Sequence, residues 1–74
     1  MNIKVRLFAT LRNGRGKELN MQLGQGAVVR RIIEALNISE DEVAILLVNG
    51  RDATLDKELE EGDTVSIFPP VGGG

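Results

Sequence analysis

Apolar and polar residues alternate at the start of the chain, with Ile3, Val5 and Leu7 set against Lys4 and Arg6. A period of two predicts a half-buried strand over roughly residues 2–8. The alternation returns at Leu19, Met21 and Leu23, between Glu18, Asn20 and Gln22, and predicts a second strand over about 18–23. The polar, glycine-bearing stretch between them is longer than a minimal hairpin turn. Gly24 and Gly26 break the pattern, after which Val28, Val29, Ile32, Ile33 and Leu36 fall at helical spacing, opposite Arg30, Arg31 and Glu34. This predicts a helix over about 27–36, weakly capped at Gly26, which offers no side-chain acceptor, and stopped at Asn37, which tolerates the left-handed conformation. So short a helix is unstable alone in water and must lie on the strands. Ser39 to Glu42 has capping-box spacing and predicts one more helical turn.

The second half opens on a continuous apolar run, Ala44 to Val48, that ends at Asn49-Gly50. Asn-Gly is the strongest short hairpin signal, because both positions tolerate positive φ, and a return strand around 51–53 follows. Leu55 and Leu59 are apolar anchors in an acidic loop. Gly62-Asp63 turns the chain into Thr64 to Phe68, where Val65 and Ile67 alternate with Thr64 and Ser66 as a last strand. Asp63 can order its own turn. The expected core is Ile3, Val5, Leu7, Leu23, Val29, Ile32, Ile33, Leu36, Leu47, Val65 and Ile67. One mixed sheet of four to five strands with one main helix on one face satisfies the pattern, an α+β architecture. Neither a repeat nor a linker divides residues 1–74, so one domain is expected.

Composition narrows the chemistry. At 74 residues folding buries only about 60% of the surface of the unfolded chain, and one core is the limit. Apolar residues make up 42% of the sequence, enough for a core and too many for disorder. Cys and His are absent, which removes the commonest nucleophile, general base and soft metal ligands, so no metal site is expected. Phe8 and Phe68 are the only aromatics, too few for stacking nucleic-acid bases. No apolar run approaches the ~20 residues of a membrane span, and Met1 opens directly onto a strand pattern rather than a signal peptide. A cytoplasmic protein with no membrane and no nucleic-acid partner is expected. Charge is lopsided along the chain: residues 1–38 carry seven basic against two acidic residues, and residues 39–74 carry nine acidic against two basic. Such asymmetry can steer a charged partner. Lys4 and Arg6 read as the solvated side of the first strand.

Three terminal glycines pose a separate question, since glycine loses the most backbone freedom on ordering and buries nothing. They are either a frayed end or the working part of the molecule. The stretches "KVRLFATLR" at 4–12, "VNG" at 48–50 and "LEEGDTVSIFPPVGGG" at 59–74, with their spacing, decide this. The chain resembles the ubiquitin-like sulfur carriers of the MoaD/ThiS family, and within it the small subunit of molybdopterin synthase. Gly72 stands where Ala, Ser or Thr is common in that family.

The resemblance implies a β-grasp fold with the first and last strands parallel and adjacent at the sheet centre. It implies that the Gly74 carboxylate is adenylated and converted to a thiocarboxylate, which delivers sulfur to a pterin precursor in molybdenum cofactor biosynthesis. Phe68, Pro69, Pro70, Val71, Gly72 and Gly73 would then bind partners, with 69–74 a flexible tail. The implied partners are an activating adenylyltransferase, the synthase large subunit and a sulfur donor system. ATP is used by the activating partner, and no cofactor is bound permanently. The chain would be a sulfur-carrying subunit with no catalytic side chains of its own. A stretch without Cβ atoms suits a narrow site that excludes water from an acyl-adenylate, while Pro69 and Pro70 stiffen the base of the tail. Phe68 is open to two readings, core residue or partner-facing anchor. Carriers for thiamine thiazole, cysteine or other pathways share the terminal Gly-Gly, as do protein modifiers joined to lysines. A β-grasp binding module is a further alternative.

Overall fold

The computed structural model describes residues 1–71. Its strands are β1 (Asn2–Leu7), β2 (Glu18–Gln22), β3 (Ile45–Val48), β4 (Arg51–Asp52) and β5 (Thr64–Phe68), with one helix, α1 (Arg30–Ala35), and 3₁₀ turns at Ala9–Arg12 and Glu40–Glu42. The sheet order is β2-β1-β5-β3-β4. β1 and β5 are parallel at its centre, Val5 opposite Val65 and Leu7 opposite Ile67, as the resemblance implied. The other pairings are antiparallel.

The core lies between the sheet and α1. Two rows cross three strands: Val5, Val65 and Val48, then Leu7, Ile67 and Leu46, all buried. Ile32 and Ile33 of α1, with Val29 just before it, close over them. Two expected core positions, Leu23 and Leu36, are half-buried against this cluster. Leu47 is a correction. Leu46 and Val48 face the helix, and Leu47 stands half-buried on the other side of the sheet. Pairing with Ile67 and Val65 selects that parity, which a run of apolar residues leaves open. Leu11 joins the core from the first 3₁₀ turn and Ile38 from just past the end of α1, and Leu59 is buried as an anchor of its loop.

The helix is shorter than its apolar pattern. Residues 27–29 are taken by the 55–59 loop: Val28 forms an isolated antiparallel bridge with Glu58. The N–H groups of Val29 and Arg30 donate to the carbonyls of Lys57 (3.0 Å) and Leu55 (2.8 Å), and that of Leu59 donates to Ala27 (2.9 Å). Loop carbonyls therefore satisfy the N–H groups of the N-cap and of the first helical residue, which have no partner within the helix. The N-cap is Val29 and not Gly26, which sits in the preceding turn at φ +82°. Asn37 does end the helix at φ 60°. Its N–H donates to Glu34 (3.1 Å) and that of Ile38 to Ile33 (2.8 Å), the double bond pattern of a Schellman motif, with Ile38 folded into the core.

Arg15 holds this end in place. Its Nε donates to the carbonyl of Leu36 (3.0 Å), Nη1 to that of Leu11 (3.1 Å) and Nη2 to that of Asn37 (3.4 Å). One guanidinium thus ties the β1–β2 connection to the negative end of α1. Arg15→Ala should cost about 1–3 kcal/mol, because hydrogen bonds to a charged group are lost and three carbonyls lose a donor. Arg31→Ala, on the exposed side of α1, should stay within about 0.5 kcal/mol. Equal urea midpoints for the two variants would contradict the clamp. Beyond Asn37, the expected turn at Ser39 is present, with the Ser39 N–H donating to Glu42 Oε1 at 3.0 Å. Hydrogen bonds from the Ser39 backbone and side chain, helped by Arg15, hold the Glu42 carboxyl below the usual carboxylate range.

Candidate functional site at the base of the tail

The last strand is fixed at its start by two motifs that meet in space. Asn49 and Gly50 form the two-residue β3–β4 turn, both at positive φ (53° and 81°). The Asn49 side chain then reaches β5: Nδ2 donates to Asp63 Oδ1 (2.8 Å), and Oδ1 accepts the Thr64 N–H (2.9 Å). Asp63, only 8% exposed, also accepts the Glu60 N–H through Oδ2 (2.8 Å). Its backbone carbonyl accepts the Lys4 N–H (3.0 Å). Asp63 does order its own turn, and with Asn49 it also locks β5 against β1 and β3. A tail leaving a strand held in this way has a defined origin.

At the other end of β5, the Phe68 carbonyl accepts the Ala44 N–H (2.8 Å). Pro69 and Pro70 follow and have no N–H to extend the ladder. Pro69 is half-buried and Pro70 exposed. Val71 is 96% exposed, a large apolar side chain with almost no cover. Gly72, Gly73 and Gly74 lie outside the described residues.

Phe68 is not part of the core under the helix. Val65 and Ile67 take that side of β5, and alternation puts Phe68 on the opposite face with Thr64 and Ser66. There its ring stacks on Phe8, with centroids 4.0 Å apart and planes 8° apart. Ile45 is the cross-strand partner of Phe68 and is 51% exposed; Leu47 follows on the same side. Phe8, Phe68, Ile45 and Leu47 thus make an apolar patch around the root of the tail. Phe8 and Ile45 were not anticipated as site residues. The signal was available, because Phe8 and Phe68 both put a large apolar side chain at the solvent parity of their strands.

Arg6 and Arg12 flank the patch, their guanidinium carbons 5.8 and 5.3 Å from the Phe8 ring centroid. Among the described residues no cluster of acidic side chains could hold a metal ion, and no helix is long and apolar enough to cross a membrane. The sequence has neither Cys nor His, and what stands at the end of β5 among the described residues is the apolar patch and the chain running on through Pro69, Pro70 and Val71.

Comparison with known proteins agrees with this geometry. The sequence model of the ThiS family matches residues 5–74. The chain belongs to the ThiS family. It is similar to small archaeal modifier protein 3 of Haloferax volcanii, 30% identical over 92 aligned positions that span all of both chains. Among solved structures, a Pyrococcus furiosus protein described as a candidate molybdopterin converting factor subunit 1 superposes with a TM-score of 0.78 at 34% identity, over 96% of this chain and 99% of that one. A chain of the complex of subunits 1 and 2 of molybdopterin-converting factor from Helicobacter pylori has the same fold, with a TM-score of 0.68 at 22% identity over all of both chains. The fold is the β-grasp of ubiquitin-like proteins. This ThiS-family chain therefore sits among sulfur carriers and ubiquitin-like small modifiers.

Proposed function

We propose that this protein is a sulfur carrier in molybdopterin synthesis, loaded at the Gly74 carboxyl. The observation that carries the reading is the family match, which runs through Gly74 and so takes in the Gly-Gly tail with the sheet that positions it. The likeness to the Pyrococcus protein favours the molybdopterin branch. A carboxylate is a poor electrophile, so loading needs activation. The Gly74 carboxylate attacks ATP on an adenylyltransferase, forms an acyl-adenylate and releases pyrophosphate. A sulfide-level donor then displaces AMP and leaves a thiocarboxylate, whose sulfur is delivered to a pterin precursor held by the synthase large subunit. ATP belongs to the activating enzyme, and the proposal sets this work in the cytoplasm.

The carrier's part is mechanical. The Asn49–Asp63 link fixes β5, the prolines end its hydrogen-bond ladder where the tail begins, and Phe68 with its neighbours seats the partner at the mouth of its channel. The complex that contains the Helicobacter chain supports a large-subunit partner of this kind. Phe68→Ala should weaken binding to the cognate large subunit about thirtyfold or more, the scale of about 2 kcal/mol for an interface hot spot. Calorimetry on the folded variant measures this, and an unchanged affinity would reduce Phe68 to the partner of Phe8.

The similarity to a small archaeal modifier protein favours a second reading, in which Gly74 is joined to lysines of other proteins. A ladder of lysine-linked conjugates in cell extract supports that reading, whereas a free thiocarboxylate supports the carrier.

A further inference from the structure

Three cations gather on one side of the Phe8–Phe68 pair, and the sulfur chemistry uses none of them. Arg6 stands on the outer face of β1, Arg12 ends the 3₁₀ turn and Lys17 precedes β2. With Leu7, Phe8 and Glu18 they line a depression of about 260 Å³. Arg12 is held in position by its Nε, which donates to the Leu7 carbonyl at 2.8 Å. Arg6 lies 4.0 Å from Glu18, and among the described residues Arg12 and Lys17 have no ion-pair partner. Three cations therefore face one carboxylate, in a chain whose net charge is −2.

We infer that this rim docks carboxylate side chains of a protein partner, beside the apolar patch to which Phe68 belongs. The inference rests on the proposed insertion of the tail into a larger protein and adds the charge that such a partner presents. A guanidinium already fixed by one backbone carbonyl has less freedom left to lose when it meets a carboxylate. The sulfur acceptor does not fit as the occupant. Gly74 lies six positions after Phe68, and an extended stretch of that length reaches about 20 Å, so the rim stands at the wrong end of the tail to touch the reacting molecule. Nucleic acid fits less well, because Phe8 and Phe68 each use a ring face on the other and the chain as a whole is acidic.

A charged rim acts mainly on the rate of encounter. Lys17→Glu alone, and Arg12→Glu with Lys17→Glu, should slow association at low salt, the double variant by about tenfold, with the difference shrinking as salt screens the charges. The Lys17 carbonyl accepts the Leu7 N–H (2.9 Å), a backbone bond that Lys17→Glu leaves in place, and its side chain makes no hydrogen bond among the described residues, so the single variant stays informative if Arg12→Glu disturbs the Leu7 contact. Arg51→Glu, at the far end of the sheet, is the control. The measurement is stopped-flow association with the adenylyltransferase and with the synthase large subunit encoded in the same genome, at low and high salt, beside a labelled single-stranded RNA. Slower association of both rim variants, with Arg51→Glu unchanged, is the expected result. Wild-type rates for the double variant at low salt would overturn the inference and leave the carrier reading standing. RNA binding that Lys17→Glu abolishes would also overturn it. If the wild type associates with neither protein at either salt, the carrier reading falls and the inference with it.

Discussion

Ile33→Ala lowers the stability of the folded chain by about 2–5 kcal/mol, the range for truncating a buried aliphatic side chain. Ile33 is 2% exposed and sits at the centre of the helix–sheet interface. Its carbonyl also accepts the Ile38 N–H that ends the helix. The substitution leaves that bond and the helix propensity intact, so the loss comes from the cavity. At about 0.05–0.15 kcal/mol per residue a chain of this size has only about 4–11 kcal/mol to lose. The urea midpoint should fall steeply, whereas Glu34→Ala one residue on, exposed, should leave it within about 0.5 kcal/mol of wild type. Equal midpoints for the two variants would mean that the buried side of α1 is misassigned.

The second large effect is at the other end of the argument. One residue appended after Gly74 should abolish activation while leaving the fold unchanged. A peptide bond at the Gly74 carbonyl replaces the carboxylate that must attack ATP, and each extended residue moves the new terminus by about 3.3–3.6 Å relative to a fixed nucleotide. Deleting Gly74 leaves the terminus short by the same distance. An extension before Met1 should be tolerated. ATP–pyrophosphate exchange by the cognate adenylyltransferase reads the first chemical step alone. Wild type and the N-terminal extension should support it, and the two C-terminal variants should not. Exchange at the wild-type rate by the extended chain, with no trimming, would contradict the role of Gly74.

Much of the fold was legible where the pattern has contrast. Charged residues between Ile3, Val5 and Leu7 announce both the strand and its buried side, and β5 reads the same way from Val65 and Ile67. Where contrast is missing, the reading fails. The run from Ala44 to Val48 has no polar position to set parity, so the buried side of β3 is decided only by its pairing with β5. The first turn of the apolar helical pattern is diverted into a bridge with a loop 30 positions away, Val28 to Glu58, and no local signal marks that.

The site follows the same rule. Asn49 and Asp63 were each legible as turn residues, yet their bond to one another is tertiary. Arg15 looks like any loop cation because its three acceptors are backbone carbonyls, which every residue carries. Phe68 was legible only as one of two things, core residue or partner-facing anchor, and the structure takes it out of the core under the helix to the face that it shares with Phe8. The tail chemistry was legible only through the resemblance, since glycine offers a chemist nothing but its backbone.

The most direct test of the carrier account uses the absence of cysteine. The chain is incubated with its adenylyltransferase, ATP and a sulfur donor, then treated with a thiol alkylator and weighed intact. The account predicts the mass of one oxygen-to-sulfur exchange plus one alkyl group, located on the terminal peptide and dependent on ATP. An unmodified mass, with adenylation demonstrated in the same tube, would contradict it.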